Sequence, residues 1–95
     1  MHFVYIIYSR LKDRFYIGET KDIKRRLDKH NSGFYNNAST KFTKDWKLFL
    51  TIKCNNRSQA LKLERYIKKM RNRKFYQKLQ NNADMVNSLL TKFSN

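Results

Sequence analysis

The chain contains no proline and only two glycines, Gly18 and Gly33. Those two residue types are the strongest local breakers of regular structure, so the polypeptide has little room for flexible linkers. No internal repeat is visible, and 95 residues is well below the size at which a chain divides into separate cores. One continuous domain is expected. Hydrophobic residues make up 40% and aromatics 15% of the chain, enough apolar mass for a small packed core and against wholesale disorder.

Residues 3–8 are β-branched and aromatic throughout, which predicts a strand covered on both faces, and residues 15–18 read the same way. Arg10-Leu11-Lys12-Asp13 forms the turn of a hairpin between them. Asp22 can cap a helix over residues 23–30 that ends near Asn31-Ser32-Gly33. The polar stretch 34–44 reads as a loop, and 46–53 as a third strand. A second helix starts near Ser58 with apolar residues at 60, 63, 67 and 70, the spacing of a packed face. A further helix is predicted over about 73–80, and Met85, Leu89, Leu90 and Phe93 mark a last amphipathic segment. The expected fold class is α/β (α+β): a small, mainly antiparallel three-stranded sheet flanked by helices.

Lys and Arg number 22 against 7 Asp and Glu, giving a net charge of +15. Such an excess suits a polyanion, because cations that neutralise phosphates release counterions and bind without reading sequence. A membrane surface fits less well, since the basic residues run through the whole chain rather than along one amphipathic helix. The longest apolar run is far shorter than the roughly 18 residues of a membrane span, and the N-terminus lacks the organisation of a secretion signal. A soluble, cytoplasmic protein is expected. Cys54 stands alone, so it can form neither an internal disulfide nor a cysteine-type zinc site, and it reads as a small apolar strand residue.

Chemistry concentrates in three places. At about 100° per residue, Arg26 and His30 share the inward side of the first helix with Ile23 and Leu27, while Lys24, Arg25, Asp28 and Lys29 point the other way. Burying an unpartnered charge is expensive. Helical phase alone leaves open whether Arg26 snorkels out, pairs with a carboxylate or serves a site. Tyr5 and Tyr16 share one face of neighbouring strands if the hairpin register is short. Glu64 lies at the edge of the second helix's apolar face, either as an i,i+4 partner of Lys68 or as a ligand for a divalent metal. The other carboxylates have simpler readings: Asp13 in the turn, Asp22 as a cap, Asp28 exposed, Asp45 in the loop and Asp84 in the tail.

In chain order, Tyr5, Tyr16-Ile17-Gly18, Arg26 with His30, and Glu64 in a later helix resemble the GIY-YIG nuclease superfamily. The second half of its signature is intact as Tyr16-Ile17-Gly18. Phe3-Val4-Tyr5-Ile6 keeps the tyrosine of the first half but not its leading glycine. Further matches are Thr20-Lys21-Asp22, Arg25-Arg26, His30-Asn31-Ser32-Gly33, Ser39-Thr40-Lys41-Phe42-Thr43 with Trp46, and Ala60-Leu61-Lys62-Leu63-Glu64 running into Ile67-Lys68-Lys69-Met70. The likeness covers residues 3–80 and is strongest to the short single-domain bacterial branch, related to the N-terminal nuclease domain of the bacterial excinuclease. It implies a nuclease domain over 1–80, with 81–95 as a helical tail packed on it or extending it.

The resemblance also implies roles. Tyr5 would take a proton from the attacking water with His30 assisting, Arg26 would steady charge on the phosphate, and Tyr16 would orient the phosphate or the metal's water. Gly18 would allow close approach, and Glu64 would hold one divalent ion, Mg²⁺ or Mn²⁺. A single ion suits a chain without the clustered carboxylates of a two-metal clamp. Lys24, Arg25, Lys29, Lys41, Lys68 and Lys69 are the expected nucleic-acid contacts, with branched or nicked DNA as partner and RNA as a further option. The implied activity is metal-dependent DNA endonuclease, in repair or recombination. The alternative is an inactive nucleic-acid-binding module on the same scaffold. The C-terminal segment either packs on the core or serves a homodimer or partner protein. Asn81 and Asn82 match a late family asparagine by position only and stay unassigned, and Glu19 should face away from Tyr16 by strand alternation. Whether Tyr5, Tyr16, Arg26, His30 and Glu64 converge on one concave patch decides the nuclease reading, which fails if Arg26 and Glu64 lie on opposite faces.

Overall fold

A computed structural model describes residues 1–32 and 43–94. Gly33, Lys41 and most of the polar stretch 34–44 lie outside the described residues. The elements run β1 (His2–Ser9), β2 (Arg14–Thr20), α1 (Ile23–Ser32), β3 (Trp46–Cys54), α2 (Arg57–Met70), α3 (Arg73–Asn81) and α4 (Ala83–Lys92). The sheet is antiparallel in the order β2-β1-β3, so the most apolar strand is central and paired on both sides. This is the expected α+β class.

Alternation along β1 separates two cores. Val4 and Ile6 join Ile17, Ile52 and Cys54 under Ala60, Leu63 and Ile67 of α2. Tyr5 and Ile7 join Trp46 on the opposite face, where Ile23 and Leu27 of α1 pack. The first core continues through Tyr76 and Leu79 of α3 to Leu89 of α4, with Met85, Val86, Leu90 and Phe93 packed against it. The amphipathic face of α4 is therefore used within the chain, and the Gln59 amide donates to the Leu90 carbonyl at 2.9 Å. Asparagines cap all three C-terminal helices: Asn56, Asn72 and Asn82. Met70, expected on the packed face of α2, is the helix's final residue before a left-handed Arg71 and stays 38% exposed.

Two clasps close the rim where β1 ends. The Asp45 carboxylate accepts hydrogen bonds from the Ser9 hydroxyl at 2.5 Å, the Thr43 hydroxyl at 2.6 Å and the Leu11 amide at 3.0 Å. The Asp13 carboxylate accepts from the Tyr8 hydroxyl at 2.6 Å and from Arg73 at 2.8 Å. No helix among the described residues is long and apolar enough to cross a membrane.

Candidate active site

The face of the sheet that Tyr5 and Ile7 share carries the reactive side chains. The short hairpin register sets Tyr5 opposite Gly18 and Tyr16 opposite Ile7, so the two tyrosines share a face, with ring centroids 6.4 Å apart. Helix α1 lies over that face. Its start is fixed by the Asp22 carboxylate, which accepts from the Arg25 amide at 3.1 Å. Its end is held by Asn31, whose side chain donates to the Trp46 carbonyl at 2.9 Å and accepts from the Trp46 amide at 2.7 Å. From sequence, Asn31 has only a part in ending the helix. Its two-point hold on β3 fixes the turn that carries His30.

His30 is 2% exposed, and its Nε2 lies 2.9 Å from the Tyr5 hydroxyl. The Tyr16 ring centroid is 5.0 Å from that of His30. Burial, and then the charge of Arg26 one turn earlier, hold the His30 imidazole down to about 4. The ring is neutral near pH 7, and in the tautomer protonated on Nδ1 its Nε2 accepts the phenol hydrogen. Arg26 is half-buried on the inward side of α1, as helical phase predicts.

Glu64 is placed differently. It belongs to α2, on the other face of the sheet, and approaches round the free edge of β2. The Lys68 ammonium bridges that edge, 3.7 Å from the Glu64 carboxylate and 6.0 Å from the Tyr16 ring centroid. Burial pushes the Glu64 carboxyl up, Lys68 opposes the shift, and the neighbouring Glu19 carboxylate adds to it. Arg26 and Glu64 therefore sit on helices that cover opposite faces of the sheet, which weighs against a single shared patch. Tyr5, Tyr16, Arg26 and His30 gather on the α1 face, and Lys68 at the β2 edge links Glu64 to Tyr16 of that group, because alternation on β1 sends α1 and α2 to opposite faces. Glu19 does face away from Tyr16, pairing with His2 at 3.1 Å and Arg57 at 3.8 Å. Lys24, Arg25, Lys68 and Lys69 are exposed as expected, Lys29 is part-buried, and Arg25 and Lys29 also line a cavity wall together with Arg26. His2, Lys21 and Arg57 also border that cavity and do not stand out from sequence, where each is one basic residue among many.

A family model described as the GIY-YIG catalytic domain matches residues 1–80. The chain belongs to the GIY-YIG family. No curated protein and no solved structure matches it. GIY-YIG proteins are of nuclease type, generally depend on a divalent metal and act on DNA. The donor chemistry here fits a hard cation, because the anionic groups at this edge, Glu64 and Glu19, offer carboxylate oxygens. Among the described residues no three His, Cys, Asp or Glu side chains are grouped to hold a metal. In the GIY-YIG frame, the glycine of Tyr16-Ile17-Gly18 has a local reason: a Cβ there would lie 2.6 Å from Tyr5 Cζ and closer still to its hydroxyl.

Proposed function

We propose that this GIY-YIG protein is a cytoplasmic, metal-dependent endonuclease that hydrolyses phosphodiester bonds in nicked or branched DNA during repair or recombination. The observation that carries the reading is the 2.9 Å contact between the Tyr5 hydroxyl and a buried, neutral His30 beside Arg26. A phenol ordinarily titrates near 10, so it needs an acceptor for its proton. Tyr5 takes a proton from the attacking water as its own passes to His30 Nε2. The fixed charge and forked donors of Arg26 meet the negative charge that builds on the phosphate. Tyr16, packed against His30 at the sheet edge, orients the phosphate. Glu64 is the residue that would hold one Mg²⁺ or Mn²⁺ ion, which when bound supplies charge neutralisation for the phosphate oxygens.

The test is incubation with nicked, flapped and branched DNA in Mg²⁺ or Mn²⁺, comparing the wild type with Glu64→Gln and Arg26→Ala. Cleavage lost in both variants is the expected result. Cutting undiminished in Glu64→Gln removes the metal-ligand assignment. Salt-sensitive binding without cleavage under either metal favours the binding-module alternative.

A further inference from the structure

Where β1 begins and β2 and β3 end lies a cavity of about 500 Å³ that shares Arg26 with the cleavage chemistry. Strand register explains how it forms. Phe3 pairs with Thr20, and His2 pairs with Cys54, so the segments that leave β2 and β3 emerge at the same rim, on either side of the start of β1. One leads through Lys21 into α1, and the other leads through Asn56 to Arg57 at the start of α2. Lys21, Arg25, Arg26, Lys29 and Arg57 converge on the cavity wall. Of its two carboxylates, Glu19 lies 3.1 Å from His2 and 3.8 Å from Arg57 while its buried Oε2 accepts no hydrogen bond among the described residues, and Asp22 accepts from the Arg25 amide. Arg26 is the one residue that both lines this cavity and acts on His30.

We infer that this cavity binds a backbone phosphate of the nucleic-acid strand, the one adjoining the phosphate met by Arg26. The inference rests on the proposed nuclease function only for the strand that crosses Arg26. A concave wall of cations from two separate segments can surround a phosphodiester, whereas scattered surface lysines only attract it. The Arg57 Nε lies 3.8 Å from the Glu19 carboxylate, and an arginine fork can make two-point contact with phosphate oxygens. The residues that decide strand position are then Arg57 and Lys21, which reach the cavity from the segments after β3 and β2.

The experiment measures binding rather than cutting, with the full chain carrying Glu64→Gln and a labelled nicked duplex. Arg57→Ala combined with Lys21→Ala should weaken binding about tenfold and flatten the dependence of log affinity on log salt by about one. Lys78→Ala, on the remote helix α3, should leave that slope unchanged. Neutral methylphosphonates placed one at a time along the strand then locate the contact. One position should lose its effect in the Arg57→Ala, Lys21→Ala variant, and the adjacent position should lose its effect in Arg26→Ala. An unchanged salt slope overturns the inference, as does a methylphosphonate effect that multiplies with the double substitution at every position. So does a loss that follows removal of the 5′-terminal phosphate at the nick rather than an internal one. Failure of the nuclease function looks different: the phosphate couplings persist, while the protein with Glu64 restored cuts nothing.

Discussion

The phenol ring of Tyr5 lies across the backbone of Gly18, filling the space a side chain there would need. The glycine is thus part of the geometry that brings the Tyr5 hydroxyl to His30. Gly18→Ala should force the ring aside, lower DNA cleavage at least tenfold and cost about 1–3 kcal/mol of stability by overpacking. Cleavage assays beside urea unfolding check both numbers, and near-normal cleavage would separate the ring's position from function.

Tyr5→Phe keeps the ring and removes the hydroxyl. Loss of the proton acceptor predicts a fall in cleavage of about 10²–10⁴-fold. Removing the hydroxyl from His30 Nε2 should cost only about 1–3 kcal/mol of stability. Single-turnover cleavage under saturating protein isolates the chemical step, which should carry nearly all of the loss.

His30 predicts an acid-sensitive stability. Its folded value of about 4 lies below the ordinary histidine value of about 6.5, so the unfolded chain binds a proton that the folded chain refuses. The contribution is fully present above about 6.5 and is lost as pH falls from there through about 4. A decline of up to about 3 kcal/mol across that window is expected. Ring resonances in an NMR titration should show a midpoint near 4, moving upward in Arg26→Ala but staying below the ordinary value, because burial is the larger cause.

At the other rim, hydrogen bonds from Ser9, Thr43 and the Leu11 amide hold the Asp45 carboxyl down to about 2. Its stabilising contribution is present above the ordinary carboxylate range near 3.9 and disappears as pH falls through about 2. Asp45→Ala should lower the thermal midpoint at neutral pH and flatten the acid limb of the stability curve. Differential scanning calorimetry between pH 2 and pH 5 reads both effects, in a window largely below that of His30.

Leu89 joins α4 to the core below α2. Leu89→Ala should cost about 2–5 kcal/mol, and removal of residues 83–95 should cost more while leaving the protein monomeric. Urea unfolding with light scattering distinguishes this from a tail that serves association.

Most of the architecture was legible because unbroken β-branched and aromatic runs mark the first two strands and apolar residues at helical spacing mark the second and last helices. The inward Arg26 and His30 were visible from helical phase alone. Other features depend on sheet order, which no local pattern encodes. Glu64 sits on the second helix as expected, but its position across the β2 edge follows from β1 being central. The meeting of Lys21 and Arg57 follows from two strands ending at the same rim. Asn31 was hidden because an amide near a helix end looks alike whether it stops the helix or clamps a strand.

The alternation of β1 links integrity to activity. Val4 and Ile6 belong to one core, and Tyr5, set between them, belongs to the reactive face. A slip of one residue in pairing exchanges the two sets. Damaged or misfolded molecules should therefore be silent rather than promiscuous, because no mispaired sheet can keep a buried Tyr5–His30 contact. In a family that acts on DNA, that makes correct folding itself a safeguard on the genome.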